Sequence, residues 1–232
     1  MSDISSEVRA RLLERGAVLV GFADLSGIPE DARRSMPRAV SIAVPVKPEI
    51  AAEIMDGPTP QYKAEYDRLN GLLGELAAYA AEMIEQAGYC AIARQATHQE
   101  IDWDKLTTKL PHKTVATRAG LGWIGKNATL VTSDYGNSVR ITSVFTDAPL
   151  EVAEPIDESR CGDCTACADA CPGGAVSGRN WKAGMERAEF FDAFSCRDAS
   201  RAHEERYGVT ICGMCIPACP WTQKRLKREG AM

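Results

Sequence analysis

The amino-acid sequence predicts an α/β (α+β) domain followed by a small cysteine-ligated domain, on three observations. Apolar runs with strand and helix periodicity fill the first 146 residues. Eight of the nine cysteines fall in the 59 residues from 161 to 219, while the first 160 residues hold only Cys90. Between the two regions runs a proline- and acid-rich stretch, 149–155, which places the domains at 1–154 and 155–232.

Each element has its own signal. Residues 5–15 read as a short amphipathic helix with Val8, Leu12 and Leu13 on one side and Ser5 or Ser6 as N-cap. The runs 17–22 and 39–46 read as buried strands. Over 61–87, Tyr62, Tyr66, Leu69, Leu73, Leu76, Ala80, Met83 and Ile84 recur at three- and four-residue steps, the mark of a long helix. A strand at 89–96 follows, with Cys90 expected as a small core residue. An irregular stretch then leads to a polar helix at 111–118. Residues 129–133 and 138–146 read as strands of a hairpin turned by 134–137. The cysteine region shows one helix, near 182–194.

Composition narrows the function classes. With 27 basic and 32 acidic residues the net charge is -5, which argues against a broad nucleic-acid-binding surface. No apolar stretch reaches the roughly 20 residues of a membrane span. The acidic start, Met1-Ser2-Asp3-Ile4-Ser5-Ser6-Glu7, lacks the apolar core of a signal peptide. A cytoplasmic protein without a membrane partner is expected.

The cysteine spacing carries the chemistry. Cys161-x2-Cys164-x2-Cys167-x3-Cys171-Pro172 follows the bacterial ferredoxin run for [4Fe–4S] ligation. Cys212-x2-Cys215-x3-Cys219-Pro220 repeats its end, and Cys196 supplies the missing ligand. By the crossing rule of that run, Cys161, Cys164, Cys167 and Cys219 are expected at one cluster, and Cys171, Cys196, Cys212 and Cys215 at the other. A disulfide framework would need an oxidising compartment. Zinc sites rarely use x2-x2 spacing followed by x3-Cys-Pro. Two clusters imply one-electron transfer.

Gly120-Leu121-Gly122-Trp123-Ile124-Gly125-Lys126 matches G-x-G-x-x-G literally, but it sits in the order helix, turn, strand. A dinucleotide site needs the reverse order, so the glycines are read as serving a tight turn or a close approach to a large ligand.

The segment from Arg118 to Asn127, the Tyr135-Gly136 turn, the segment Phe145-Thr146-Asp147-Ala148-Pro149-Leu150 and the ending Cys219-Pro220-Trp221 together resemble the epoxyqueuosine reductase family, which is similar in architecture to the catalytic part of reductive dehalogenases. The resemblance implies a nitroreductase-like, cobalamin-binding α/β domain followed by a ferredoxin-like double-cluster domain. It implies a base-off cobalamin that receives electrons from the clusters. Residues expected to face it are Gly122, Trp123, Lys126, Leu130, Ser138 and Ile141, with Arg197 and Met214 from the cluster side. Trp123 has core packing as its alternative, and Lys126 an ion pair with an acid of the 134–137 turn. No D-x-H-x-x-G motif surrounds His98, His112 or His203, so each is read as a surface or polar-contact residue.

Two departures bear on substrate. Relatives that reduce epoxyqueuosine keep an aspartate proton donor thirteen residues before the Ala-Gly of the glycine signature, where this chain has Leu106; Asp104 and Asp102 lie nearby. The tRNA-acting relatives also carry a C-terminal helical-repeat domain, whereas twelve residues follow Pro220 here, and the basic tail 224–228 reads as a solvated helix end. The leading expectation is therefore reduction of a small substrate or redox partner rather than tRNA, with electrons from an external donor such as ferredoxin or flavodoxin. The alternatives are a minimal epoxyqueuosine reductase acting on tRNA, with Asp104 or Asp102 as donor, and an electron-transfer module without corrinoid.

Overall fold

Residue-by-residue burial explains the first elements. In the computed structural model, which describes residues 4–97, 101–207 and 211–232, α1 (Ile4–Glu14) buries Val8 and Leu12 completely. β1 (Leu19–Asp24) pairs antiparallel with β2 (Arg38–Pro45), Phe22 opposite Val40. Every residue of β2 from Ala39 to Val44 is buried, because this strand is internal to a four-stranded sheet of order β1, β2, β6 (Val139–Thr146), β3 (Ala91–Ala93). The two strands that close that order are β3 (Ala91–Ala93) and β6 (Val139–Thr146), antiparallel with Ile92 opposite Phe145. His98 lies outside the described residues.

The chain divides into two compact units. The first takes residues 1–45, 69–122 and 140–156, the second 46–68, 123–139 and 157–232. After the short α2 (Pro48–Ala52), α3 (Pro60–Gln86) contributes its residues from Leu69 onward to the first unit, where Leu69, Leu73, Leu76, Ala80 and Ile84 form the buried stripe expected from their spacing. α4 (His112–Arg118) packs on β1 and β2, and Val115 and Ala119 join Leu25, Leu110 and Phe145 in one apolar cluster. His112 is buried between Ser143 Oγ and the Gln95 carbonyl, each 2.8 Å from a ring nitrogen. Gly120, at φ +67°, ends the helix where a Cβ would meet the Glu154 carbonyl at 3.1 Å.

Three sequence expectations are corrected. Cys90 is exposed rather than a core residue, because it precedes the edge strand β3; its amide donates to Asp147 Oδ1 and its carbonyl accepts from Thr146 Oγ1. The hairpin of 129–133 with 138–146 does not form. β5 (Leu130–Val131) pairs with β4 (Trp123–Ile124), and β6 enters the four-stranded sheet, leaving only a Thr132–Gly136 bridge at the turn. The helix placed near 182–194 starts instead at Ala193 and runs to Tyr207 (α6). Asp192 sets that start, since its carboxylate accepts from the amides of Phe194 and Ser195 and from the Ser195 hydroxyl. A single 3-10 turn occupies Arg187–Glu189.

Candidate metal centre

The second unit gathers all eight cysteines of the 161–219 region. Cys167 sits in the one-turn helix α5 (Ala166–Asp169), and Cys171 follows it. Cys196 lies in the first turn of α6. Cys219 immediately precedes α7 (Pro220–Arg228), whose start is fixed by a turn of the same unit. Gly136, at φ +58°, lets that turn lie on Thr222; a Cβ there would fall 2.3 Å from the Thr222 amide nitrogen. Beside it the Asn137 amide donates to Thr222 Oγ1, the Thr222 hydroxyl donates to Asn137 Oδ1 at 2.7 Å, and Asn137 Nδ2 donates to the Cys215 carbonyl at 3.2 Å. Asn137 and Thr222 are both buried. Asn137→Ala keeps the backbone amide bond to Thr222 but removes the side-chain bonds to the Thr222 hydroxyl and the Cys215 carbonyl, and a loss of roughly 2–4 kcal/mol is expected in chemical unfolding of the protein.

β4 and β5 carry the turn 125–129 between them, closed by Gly125 N to Thr129 O and Ala128 N to Gly125 O, both 2.9 Å. This turn presents Lys126 and Asn127 to a cavity of about 180 Å³ that Cys161, Cys164, Cys167 and Cys219 also line, with Trp221 in its wall. Lys126 is 3% exposed and its Nζ donates to the Cys164 carbonyl at 2.9 Å. The ion pair with an acid of the 134–137 turn is thus not made.

The electrostatics of the thiols sort them into two neighbourhoods. Burial pushes the Cys167 thiol up to about 11, and Cys161, Cys219 and Cys164 add to it. Burial pushes Cys215 up to about 12, with Cys212, Cys196 and, least, Cys167 of the other neighbourhood adding and the Asn127 side chain opposing. Cys212 is raised by burial and by Cys171, against the Met214 and Gly213 amides. Cys219 is raised by burial, against the Thr222 and Trp221 amides, with Cys161 and Cys164 adding. The Ala175 amide donates to Cys171 Sγ at 3.3 Å.

These are thiols that a folded apoprotein holds neutral and that a cationic iron core would ionise. Among the described residues no group of His, Cys, Asp or Glu is arranged around a single ion. A cavity with thiols on several walls fits a polynuclear cluster instead. A further mark of fit is Trp123, 1% exposed and edge-on to Trp221 with ring centroids 5.0 Å apart, whose Nε1–H has no acceptor among the described residues.

The raised thiols set a pH dependence for the metal-free, reduced protein. The folded values of Cys167 and Cys215 lie above the ordinary 9.0, so the fold favours the neutral form. The associated stability is fully present below 9.0 and is lost as pH rises through about 11 and about 12. The metal-free protein is therefore expected to denature more readily as pH rises across that window, read by anaerobic chemical unfolding.

The other expected cofactor-facing residues fall in different surroundings. Gly122, Leu130 and Ser138 are buried; Ser138 accepts from Arg225 Nη1 through both its carbonyl and its hydroxyl. Ile141, Arg197 and Met214 are half-buried. Gly122 and Ile141 belong to the first unit, the others to the second. Sequence reasoning missed two features of the thiol cavity, the Lys126–Cys164 bond and Asn127 beside Cys215. The tight turn between two short apolar segments was the signal for both.

In the first unit, residues 102–107 form a closed turn. Asp102 and Thr107 exchange backbone hydrogen bonds of 2.8 and 3.2 Å, and Asp102 Oδ1 accepts the amides of Asp104 and Lys105. Leu106 stands in the left-handed region at φ +50°. The Asp104 side chain is exposed and its carboxylate has no partner among the described residues.

Residues 160–222 match the family described as a 4Fe-4S double cluster binding domain. An epoxyqueuosine reductase of Synechococcus sp. (strain CC9605) is 34% identical over 126 residues, 53% of this chain and 39% of that protein. One of Bacillus anthracis is 41% identical over 70 residues, 30% of this chain and 18% of that protein. The chain therefore spans well under half the length of these relatives. Among solved structures, a catabolic reductive dehalogenase in complex with 3-bromo-4-hydroxybenzoic acid shares the fold at TM-score 0.73 and 22% identity, covering 97% of this chain and 33% of that one. An epoxyqueuosine reductase with a modified tRNA stem loop shares it at TM-score 0.64 and 20% identity, covering 95% and 65%. These relatives give no support to the expectation that tRNA is not a partner. No helix among the described residues is long and apolar enough to cross a membrane. The chain is thus similar to the epoxyqueuosine reductases over about half its length, and residues 160–222 match the 4Fe-4S double cluster binding domain.

Proposed function

We propose that the protein reduces epoxyqueuosine in tRNA, using two [4Fe–4S] clusters and a cobalamin, with Asp104 as proton donor. Supporting the cofactor are the shared fold and a neighbouring structure described as a B12-dependent reductive dehalogenase, at TM-score 0.71 and 20% identity. Supporting the substrate are relatives of that activity that match half the chain. The observation that carries the reading is the turn 102–107, where the unpartnered Asp104 carboxylate stands two residues from the position at which the family keeps its acid.

When bound, the corrinoid supplies the metal centre at which the carbon–oxygen bond is reduced. Removal of the epoxide oxygen takes two electrons and two protons and releases one water. Cys161, Cys164, Cys167 and Cys219 would hold one cluster, and Cys171, Cys196, Cys212 and Cys215 the other. Each cluster accepts one electron at a time from an external low-potential carrier of the ferredoxin or flavodoxin type. Asp102 holds the turn through its bonds to two amides, which leaves the Asp104 carboxylate to deliver a proton to the departing oxygen.

The test uses full-length protein reconstituted anaerobically with iron, sulfide and cobalamin, and dithionite as electron source. Oxygen loss from epoxyqueuosine in tRNA, read by mass spectrometry of the digested nucleosides, is the expected result. Protein that retains clusters and corrinoid but leaves the tRNA unchanged overturns the substrate. Protein that holds clusters and never retains corrinoid overturns the enzyme reading in favour of an electron carrier.

A further inference from the structure

A buried ammonium needs a counter-charge, and Lys126 has none among the described residues. It is 3% exposed, its one hydrogen bond goes to the neutral Cys164 carbonyl, and among the described residues it has no acidic partner. Removing an ammonium from water without such a partner costs several kcal/mol. The turn 125–129 nevertheless holds it in the wall of the cavity that Cys161, Cys164, Cys167 and Cys219 line. The anion that belongs in that cavity is the iron–sulfur group itself. Four thiolates around a [4Fe–4S]²⁺ core carry a net charge of about -2, and one added electron makes it about -3.

We infer that Lys126 is a positioning residue that tunes the cluster held by Cys161, Cys164, Cys167 and Cys219, raising its reduction potential. A fixed positive charge in a water-poor site stabilises the more negative state more than the less negative one, by Coulomb attraction that solvent screens little. The reduction is a one-electron step, [4Fe–4S]²⁺ plus one electron giving [4Fe–4S]⁺, with dithionite as the electron source in the test. No bond to Lys126 forms or breaks. Arg160, the other cation next to this cysteine run, is exposed over the Trp123 ring at 5.6 Å and therefore screened. The second cluster faces a neutral amide from the same turn, Asn127 beside Cys215. The same turn thus sets the two clusters apart in potential, with the one beside Lys126 easier to reduce.

The inference rests on the assignment of those four cysteines to one cluster. Iron content and the EPR spectrum of the unaltered protein check that assignment first, so its failure is seen separately. EPR-monitored redox titration of the reconstituted protein then compares Lys126→Gln, which keeps a donor and drops the charge, with Lys126→Arg, which keeps the charge. In Lys126→Gln the reduced-to-oxidised ratio of one cluster at fixed potential is expected to fall about tenfold, equivalent to about 59 mV for one electron. The other cluster, and both clusters of Lys126→Arg, should stay within about threefold of the unaltered protein.

A fully loaded Lys126→Gln protein with unchanged potentials would reduce Lys126 to a tether for the 161–167 loop and overturn the inference. Equal shifts of both clusters would overturn it too, as a global effect. If Lys126→Gln loses the cluster while Lys126→Arg keeps it at the original potential, the charge serves retention of the cluster and not its potential, and the inference falls. Loss of the cluster in both variants would mean that shape alone is needed, and the inference falls.

Discussion

Cys219→Ser is expected to remove one cluster and leave the other in place. Iron in the reconstituted protein should fall from about eight to about four per chain, with the EPR signal of a single reduced cluster remaining. The reason is positional. Cys219 lies 48 residues beyond Cys171, yet it lines the same cavity as Cys161, Cys164 and Cys167, while Cys171 neighbours Cys212. Under the crossed assignment, Cys171→Ser must then remove the opposite cluster, and the double variant both. If Cys219→Ser and Cys171→Ser instead remove the same signal, the ligands follow sequence order and the crossed assignment is wrong. Serine is nearly isosteric with cysteine, so loss of iron reports ligation rather than packing. The α7 start stays anchored through Thr222 and Asn137 in either case.

Asp104→Asn should lower the rate of epoxyqueuosine reduction about 10²–10⁴-fold, the usual contribution of a positioned general acid. The cluster signals should not change, because Asp104 is not one of the eight cysteine ligands. Asp102→Asn should change the rate less than about tenfold, since an amide oxygen can still accept the Asp104 and Lys105 amides that hold the turn. The reverse pattern would transfer the donor role to Asp102. A third variant tests the position itself. Leu106 occupies the left-handed region at φ +50°, a conformation that aspartate tolerates better than leucine. Leu106→Asp is therefore expected to fold at least as stably and to restore part of the rate in an Asp104→Asn background.

How much of this was legible beforehand follows from the range of each interaction. The stripe from Leu69 to Ile84 and the apolar run of β2 could be read directly, because helical and strand periodicity are local signals. The partners of a short strand are not local. Leu130 and Val131 read as strand, but whether they pair forward or backward depends on where the flanking segments are drawn by the rest of the fold. β6 pairs within the four-stranded sheet, so β5 pairs with Trp123 and Ile124. The start of α6 was open to view in the Asp192 and Ser195 spacing, a capping pattern that the search for periodicity passes over. Cys90 was misplaced because composition alone cannot tell an edge strand from an internal one.

By itself the sequence determined the chemistry of the cysteines: their number, their spacing and the ferredoxin-type run, all matters of short covalent distance. It also determined the long helix α3 and the resemblance to the epoxyqueuosine reductases. Only the tertiary structure decided which side chains stand beside the thiols. It brought Lys126 and Asn127 to a cavity whose cysteines lie between about 35 and 93 residues further along the chain. It also freed Asp104 while tying down Asp102 two residues away. Such choices are set by long-range packing and by the cost of burying a charge without a partner, and neither leaves a periodic trace in a sequence.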